Sequence, residues 1–130
     1  MLLVPFALAD DTLEYAGAVP EEGDFFTLPF EVPAGTAEIE VAHADSGDDD
    51  ILDWGLLAPD GSLRGWGGGN TEDAVVGVDA ASRSYLPGEI EAGTWAVLVG
   101  KADLRSDAPT YAVTVTLRET GTLEAQDRRP

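Results

Sequence analysis

Apolar residues recur at every second position in run after run of this chain, and the runs have the length of strands. In TYAVTVTLRE, residues 110–119, Tyr111, Val113, Val115 and Leu117 fall on one side and Ala112, Thr114 and Thr116 on the other. TLPFEVP sets Leu28, Phe30 and Val32 against Pro29 and Glu31, and TAEIEVAHA sets Ala37, Ile39, Val41 and His43 against Glu38 and Glu40. Successive side chains of a strand point to opposite faces, so each run predicts one buried face and one wet face. TWAVLVG is apolar on both faces, which places it in the middle of a sheet. ILDWGLLAP is a further strand entered at Ile51, and NTEDAVVGV reads as loop, then strand. Between the runs lie PAGT at 33–36, PDG at 59–61, GGGN at 67–70, PGE at 87–89 and EAGT at 91–94, where Pro presets φ and Gly supplies positive φ. No segment carries a convincing helical period. The expectation is an all-β protein, an antiparallel β-sandwich of jelly-roll type with seven or eight strands.

A chain of 130 residues suits one domain. Its 44% hydrophobic content argues against intrinsic disorder despite the charge. There is no Cys, which excludes disulfides, thiolate metal sites and cysteine nucleophiles. Against 25 acidic side chains stand 7 basic ones, a formal net charge of −18 that repels phosphate backbones and anionic lipid and excludes nucleic acid as a partner. The leading MLLVPFALADD has an apolar run too short to span a bilayer, for which roughly 20 residues are needed. Two readings stand for residues 1–12: the remnant of a signal peptide cut near Ala9, which implies export, or a first strand packing Leu3, Val4 and Phe6. The sandwich then occupies 13–119, and the polar, patternless 120–130 reads as a linker or tail.

Few residue types here can run chemistry alone. His43 is the one histidine, and it shares a face with Ile39 and Val41, the pattern of a partly buried, hydrogen-bonded side chain. Without a second His or a Cys, a zinc centre lacks ligands. None of the five serines sits in a nucleophile elbow. The run DSGDDD offers Asp45, Asp48, Asp49 and Asp50 as oxygen ligands for Ca²⁺, although Gly47 comes too early for an EF-hand loop. The alternative for that run is a solvated loop of mutually repelling carboxylates.

RGWGGGN, residues 64–70, is the least ordinary stretch. A phosphate cradle would open a helix, and none follows. Trp66, with Trp54 and Tyr85, is a candidate platform for stacking on sugar rings; the competing reading puts these aromatics in the core or at an interface.

Taken in order, several segments resemble a known module. Asp53 to Leu56 matches a D-x-G-L strand, and Pro59 to Gly61 a P-x-G turn. Arg64 to Gly68 then matches R-G-W-G/S-G-G, Tyr85 to Gly88 Y-L-P-G, and Gly93 to Trp95 a G-x-W strand entry. This order is similar to that of the amino-terminal β-domain of CehA/McbA-type metallohydrolases of the PHP (polymerase and histidinol phosphatase) superfamily, over roughly residues 24–118. The resemblance implies a non-catalytic accessory module that packs on, or presents substrate to, a metal-dependent hydrolase domain opening with a G-D-x-H-x-H segment. That segment has no counterpart here, so no catalytic residue carries over. The resemblance assigns Arg64 and Trp66 to an ordered turn facing either the catalytic domain or the sandwich core. The other reading of the chain is an exported carbohydrate- or protein-binding module, Ca²⁺-stabilised through the acidic run.

Overall fold

The computed structural model describes residues 11–45, 50–69 and 71–123. Eight strands run β1 (Asp11–Ala18), β2 (Phe25–Val32), β3 (Glu38–Asp45), β4 (Ile51–Leu57), β5 (Leu63–Gly68), β6 (Ala74–Gly77), β7 (Gly93–Asp103) and β8 (Thr110–Arg118). They form two four-stranded antiparallel sheets, ordered β1-β8-β3-β6 and β2-β7-β4-β5. In four of the pairs, β1 with β8, β2 with β7, β3 with β6 and β4 with β5, the strand numbers add to nine. A long antiparallel ribbon has therefore been rolled over on itself, and the rolling adds the pairs β3 with β8 and β4 with β7. That is the jelly-roll architecture that the alternating runs predict.

The alternation sets which faces meet. Leu28, Phe30 and Val32 of β2, Leu52, Trp54 and Leu56 of β4, and Trp95, Val97 and Val99 of β7 are buried from one sheet. Ile39 and Val41 of β3, Val76 of β6, and Val113, Val115 and Leu117 of β8 are buried from the other. These two inner faces make one continuous core. TWAVLVG lies in β7, between β2 and β4, so its interior place in the sheet is as expected.

The structure departs from the sequence reading at three points and leaves the amino-terminal reading untouched. Residues 1–10, on which both readings of the amino terminus rest, lie outside the described residues. The strand that pairs with β8 is DTLEYAGA, which begins at Asp11, ahead of the boundary at 13. Its Leu13 and Tyr15 are only half-buried, and Gly17 with its neighbours Ala16 and Ala18 weakens its apolar signal. RGWGG is a strand, not a turn: the backbone of 63–68 pairs with β4, with register shifts between Trp54 and Gly55 and between Leu56 and Leu57.

The third departure concerns Glu38, expected on a wet face yet 0% exposed. Residues just beyond β8 fold back over it. Its Oε1 accepts from the Thr122 amide at 2.7 Å, and its Oε2 accepts from the Thr122 hydroxyl and from Arg118 Nη1, each at 2.7 Å. Arg118 Nη2 donates in turn to Glu40 Oε1 at 2.6 Å. The polar alternation is correct in direction; its partner is a segment 84 residues away instead of water. Residues 121–123, expected to be part of a linker, are thereby fastened to the sandwich.

Candidate functional site

The Trp and Tyr candidates separate when the register is applied. Trp54 points into the core, is 2% exposed, and stacks on His43 at 4.3 Å between ring centroids with 15° between planes. His43 is half-buried, as its place beside Ile39 and Val41 implies. Tyr85 is buried as well: its hydroxyl donates to the Trp54 carbonyl at 3.2 Å, and it pairs through its backbone with Gly65. Burial pushes the Tyr85 phenol above its ordinary value, against a hydrogen bond from the Gly67 backbone. The three rings therefore do not form a common platform; of them, only Trp66 reaches the surface, at 40% exposure.

Parity explains the split. Gly65 faces inward and Trp66 outward on the same strand. A Cβ on Gly65 would stand 2.2 Å from the Tyr85 ring, so that glycine is what lets Tyr85 close over β5. Trp66 crosses the outer surface of β2-β7-β4-β5 in the other direction. A Cβ on Gly55 of β4 would meet its Cε3 at 2.5 Å, and one on Gly100 of β7 would meet its Cη2 at 3.2 Å. The indole thus lies along the bare backbone of two neighbouring strands, spanning roughly two strand spacings of about 4.8 Å each. Its other face looks outward.

Phe25 stands on the far side of Gly100, its direct partner in β2, and is 65% exposed. On the β4 side, Gly100 pairs with Asp53. A cleft of about 270 Å³ results. Its walls are Phe25 and Trp66, its floor Leu98 and Gly100, and its rim Asp24, Asp53 and Lys101. Lys101 Nζ donates to the Glu22 carbonyl at 3.1 Å, and the Lys101 amide to the Asp24 carbonyl at 2.9 Å, which ties the rim to the loop before β2. Sequence reasoning missed Phe25. The available signal was FFTLPFEV itself: with Leu28, Phe30 and Val32 inward, parity sends Phe25 outward.

Arg64 has a structural task. Its Nε and Nη2 donate to the Leu86 carbonyl, Nη1 to the Glu89 carbonyl at 3.0 Å and Nη2 also to the Gly88 carbonyl at 3.2 Å. The guanidinium carbon sits 5.2 Å from the centroid of the Trp95 ring. Burial pulls the guanidinium below its ordinary value, and Glu91 and Asp60 oppose that. Arg64 thus holds the YLPGE loop over the end of the core rather than facing the cleft.

Of the acidic run, Asp48 and Asp49 and the side chain of Asp45 lie outside the described residues. Asp50 is buried, with Oδ1 accepting from the Arg105 and Ser106 amides at 2.8 and 3.0 Å and Oδ2 from the Ser106 hydroxyl at 2.6 Å. Its carboxylate pins the β7–β8 loop. Among the described residues, no group of three or more His, Cys, Asp or Glu is gathered to hold a metal ion, and no helix is long and apolar enough to cross a membrane.

No protein-family model matches the chain, and no curated protein matches it at a significant level. Fold and surface together define an all-β jelly roll bearing an aromatic cleft on the outside of one sheet.

Proposed function

We propose that this chain is a non-catalytic accessory module that works by binding, through the outer face of β2-β7-β4-β5. The observation that carries this reading is Trp66, a large aromatic kept at the surface by two glycines in adjacent strands. An indole that served only the core would point the other way, as Trp54 and Trp95 do. Exposed aromatic surface set beside a concavity with a few polar groups is the usual make-up of a recognition site.

The fastening of 121–123 supports the accessory role. Holding Thr122 and Leu123 to Glu38 gives this part of the sandwich surface a fixed shape, which suits a module that packs on a neighbour. The resemblance to the β-domain of PHP-type metallohydrolases makes that neighbour a metal-dependent hydrolase domain, to which the module presents substrate. The motifs behind that resemblance have structural tasks here: Arg64 holds the loop of Tyr85 to Gly88, and Trp95 packs beneath it.

The test is turnover. The purified chain, given Mn²⁺ or Zn²⁺ and bis(p-nitrophenyl) phosphate, is expected to release no nitrophenol above the metal-only blank. Release that EDTA abolishes would overturn the non-catalytic reading.

A further inference from the structure

The cleft between Phe25 and Trp66 has the size and the mixed chemistry of a site for one ring. At about 270 Å³ it falls just below the roughly 300–1,000 Å³ of pockets for drug-sized ligands. Its walls are two aromatic side chains of which large fractions are exposed. Its rim carries both kinds of hydrogen-bonding group: Asp24 and Asp53 can only accept, and Lys101 can only donate. The Lys101 ammonium has three donors, and the bond to the Glu22 carbonyl uses one.

We propose that this cleft binds a neutral pyranose, stacked by its C–H face on the Trp66 indole. A pyranose matches the cleft on each count. One face presents polarised C–H groups to the negative face of an aromatic ring. Its edge carries hydroxyls that both donate and accept, which answers carboxylates and an ammonium together. Phosphorylated and nucleotide ligands are disfavoured by the net charge of −18. A quaternary ammonium would gain from the aromatics and the two carboxylates, but it would face the like charge of Lys101 at the same rim. The proposal names the ligand class for the face assigned above and so rests on the binding-module reading.

The experiment is a titration of the ¹⁵N-labelled full chain with the methyl glycosides of glucose, galactose, mannose and N-acetylglucosamine, followed by amide and indole shifts. Saturable shifts at Phe25, Asp53, Trp66 and Gly100, with a millimolar dissociation constant for at least one glycoside, are expected. Trp66→Ala should weaken binding about tenfold, the loss of one stacking contact. Phe25→Ala, at a position exposed enough to leave folding intact, should weaken it severalfold and keeps the test valid if Trp66→Ala misfolds. No saturable shift with any glycoside would overturn the proposal. So would shifts that both variants leave unchanged, or saturation by tetramethylammonium chloride alone, which would make this a cation site. None of these results bears on catalysis, so the proposal can fail while the non-catalytic reading stands.

Discussion

Glu38→Gln tests whether a buried carboxylate secures the chain beyond β8. The wild-type side chain is inaccessible and accepts from Thr122 twice, from Arg118 and, at 3.4 Å, from the Leu123 amide. The amide of Gln keeps the shape and one acceptor oxygen, so the Thr122 amide can still be satisfied. Its NH₂ replaces Oε2: the Thr122 hydroxyl can turn and accept from it, but Arg118 Nη1 is confronted with a donor. One charge-assisted bond is lost, at about 1.5–3 kcal/mol. Arg118 keeps Glu40 and is 20% exposed, so the cost stays below the roughly 3–5 kcal/mol of a fully stranded buried charge. A loss of about 2 kcal/mol corresponds to a Tm lower by roughly 6–12 °C for a domain of this size. pH adds a second axis. Burial by itself would raise the Glu38 carboxyl, but the hydrogen bonds from Thr122, Arg118 and Leu123 outweigh it and leave the group below its ordinary value of 4.5. A depressed carboxyl contributes stability that is fully present above the unfolded value and lost as pH falls through the folded one. The gap between wild type and Glu38→Gln is therefore widest near neutrality and narrows below about pH 4.5. Urea melts between pH 3 and 7, with hydrogen exchange at the Thr122 and Leu123 amides, supply the measurement. Equal stability at neutral pH with unchanged exchange at 122–123 would refute the fastening; a gap that widened on acidification would refute its ionic character.

Three further outcomes follow from single contacts. Gly55→Ala places a methyl 2.5 Å from the Trp66 indole and 2.9 Å from the Gly65 carbonyl, so it should cost about 1–3 kcal/mol in a urea melt and shift Trp66 fluorescence by lifting the ring. An unchanged emission spectrum would mean that the indole does not lie on β4. Arg64→Lys keeps the charge but not the fork that spans the Leu86, Gly88 and Glu89 carbonyls, and should cost about 1–2 kcal/mol with faster amide exchange over 86–91. Asp50→Ala strands the Arg105 and Ser106 amides and should cost about 1–3 kcal/mol, whereas Asp50→Asn, which retains the Oδ1 acceptor, should cost less.

The sandwich was largely legible because burial in a two-sheet fold follows parity, and parity is printed in the sequence. Leu28, Phe30 and Val32, like Val113, Val115 and Leu117, are buried where alternation puts them. β1 was harder to see, since an edge strand with half-buried Leu13 and Tyr15 needs few apolar residues. β5 was hidden by its composition. A strand in which glycines outnumber apolar side chains reads as a turn, because Gly is rare in strands unless something packs closely against it. The role of Glu38 was out of reach for a different reason. Alternation shows that a side chain faces outward, but not that a distant segment will roof it.

The aromatic cleft lies between these cases. That Trp66 mattered was readable from its setting among glycines; where it pointed was not, because Trp54, Trp66 and Tyr85 belong to strands or bridges whose relative register is shifted twice along β4. The missing information is pairwise. Gly55 and Gly100 sit 45 positions apart in sequence, and only the antiparallel pairing of β4 with β7 brings them under one ring. Once that pairing is known, the inference runs directly from residue type. Glycines in adjacent strands, on the outer face and beside Asp53, give up side chains that would stiffen the sheet, at roughly 0.5–1 kcal/mol each relative to Ala. Such a cost in a strand interior implies a close neighbour, and the neighbour is an indole held flat at the surface. Folding alone gains more from a buried Trp than from one left 40% exposed, so the exposed face of Trp66 is the feature on which the proposed binding role rests.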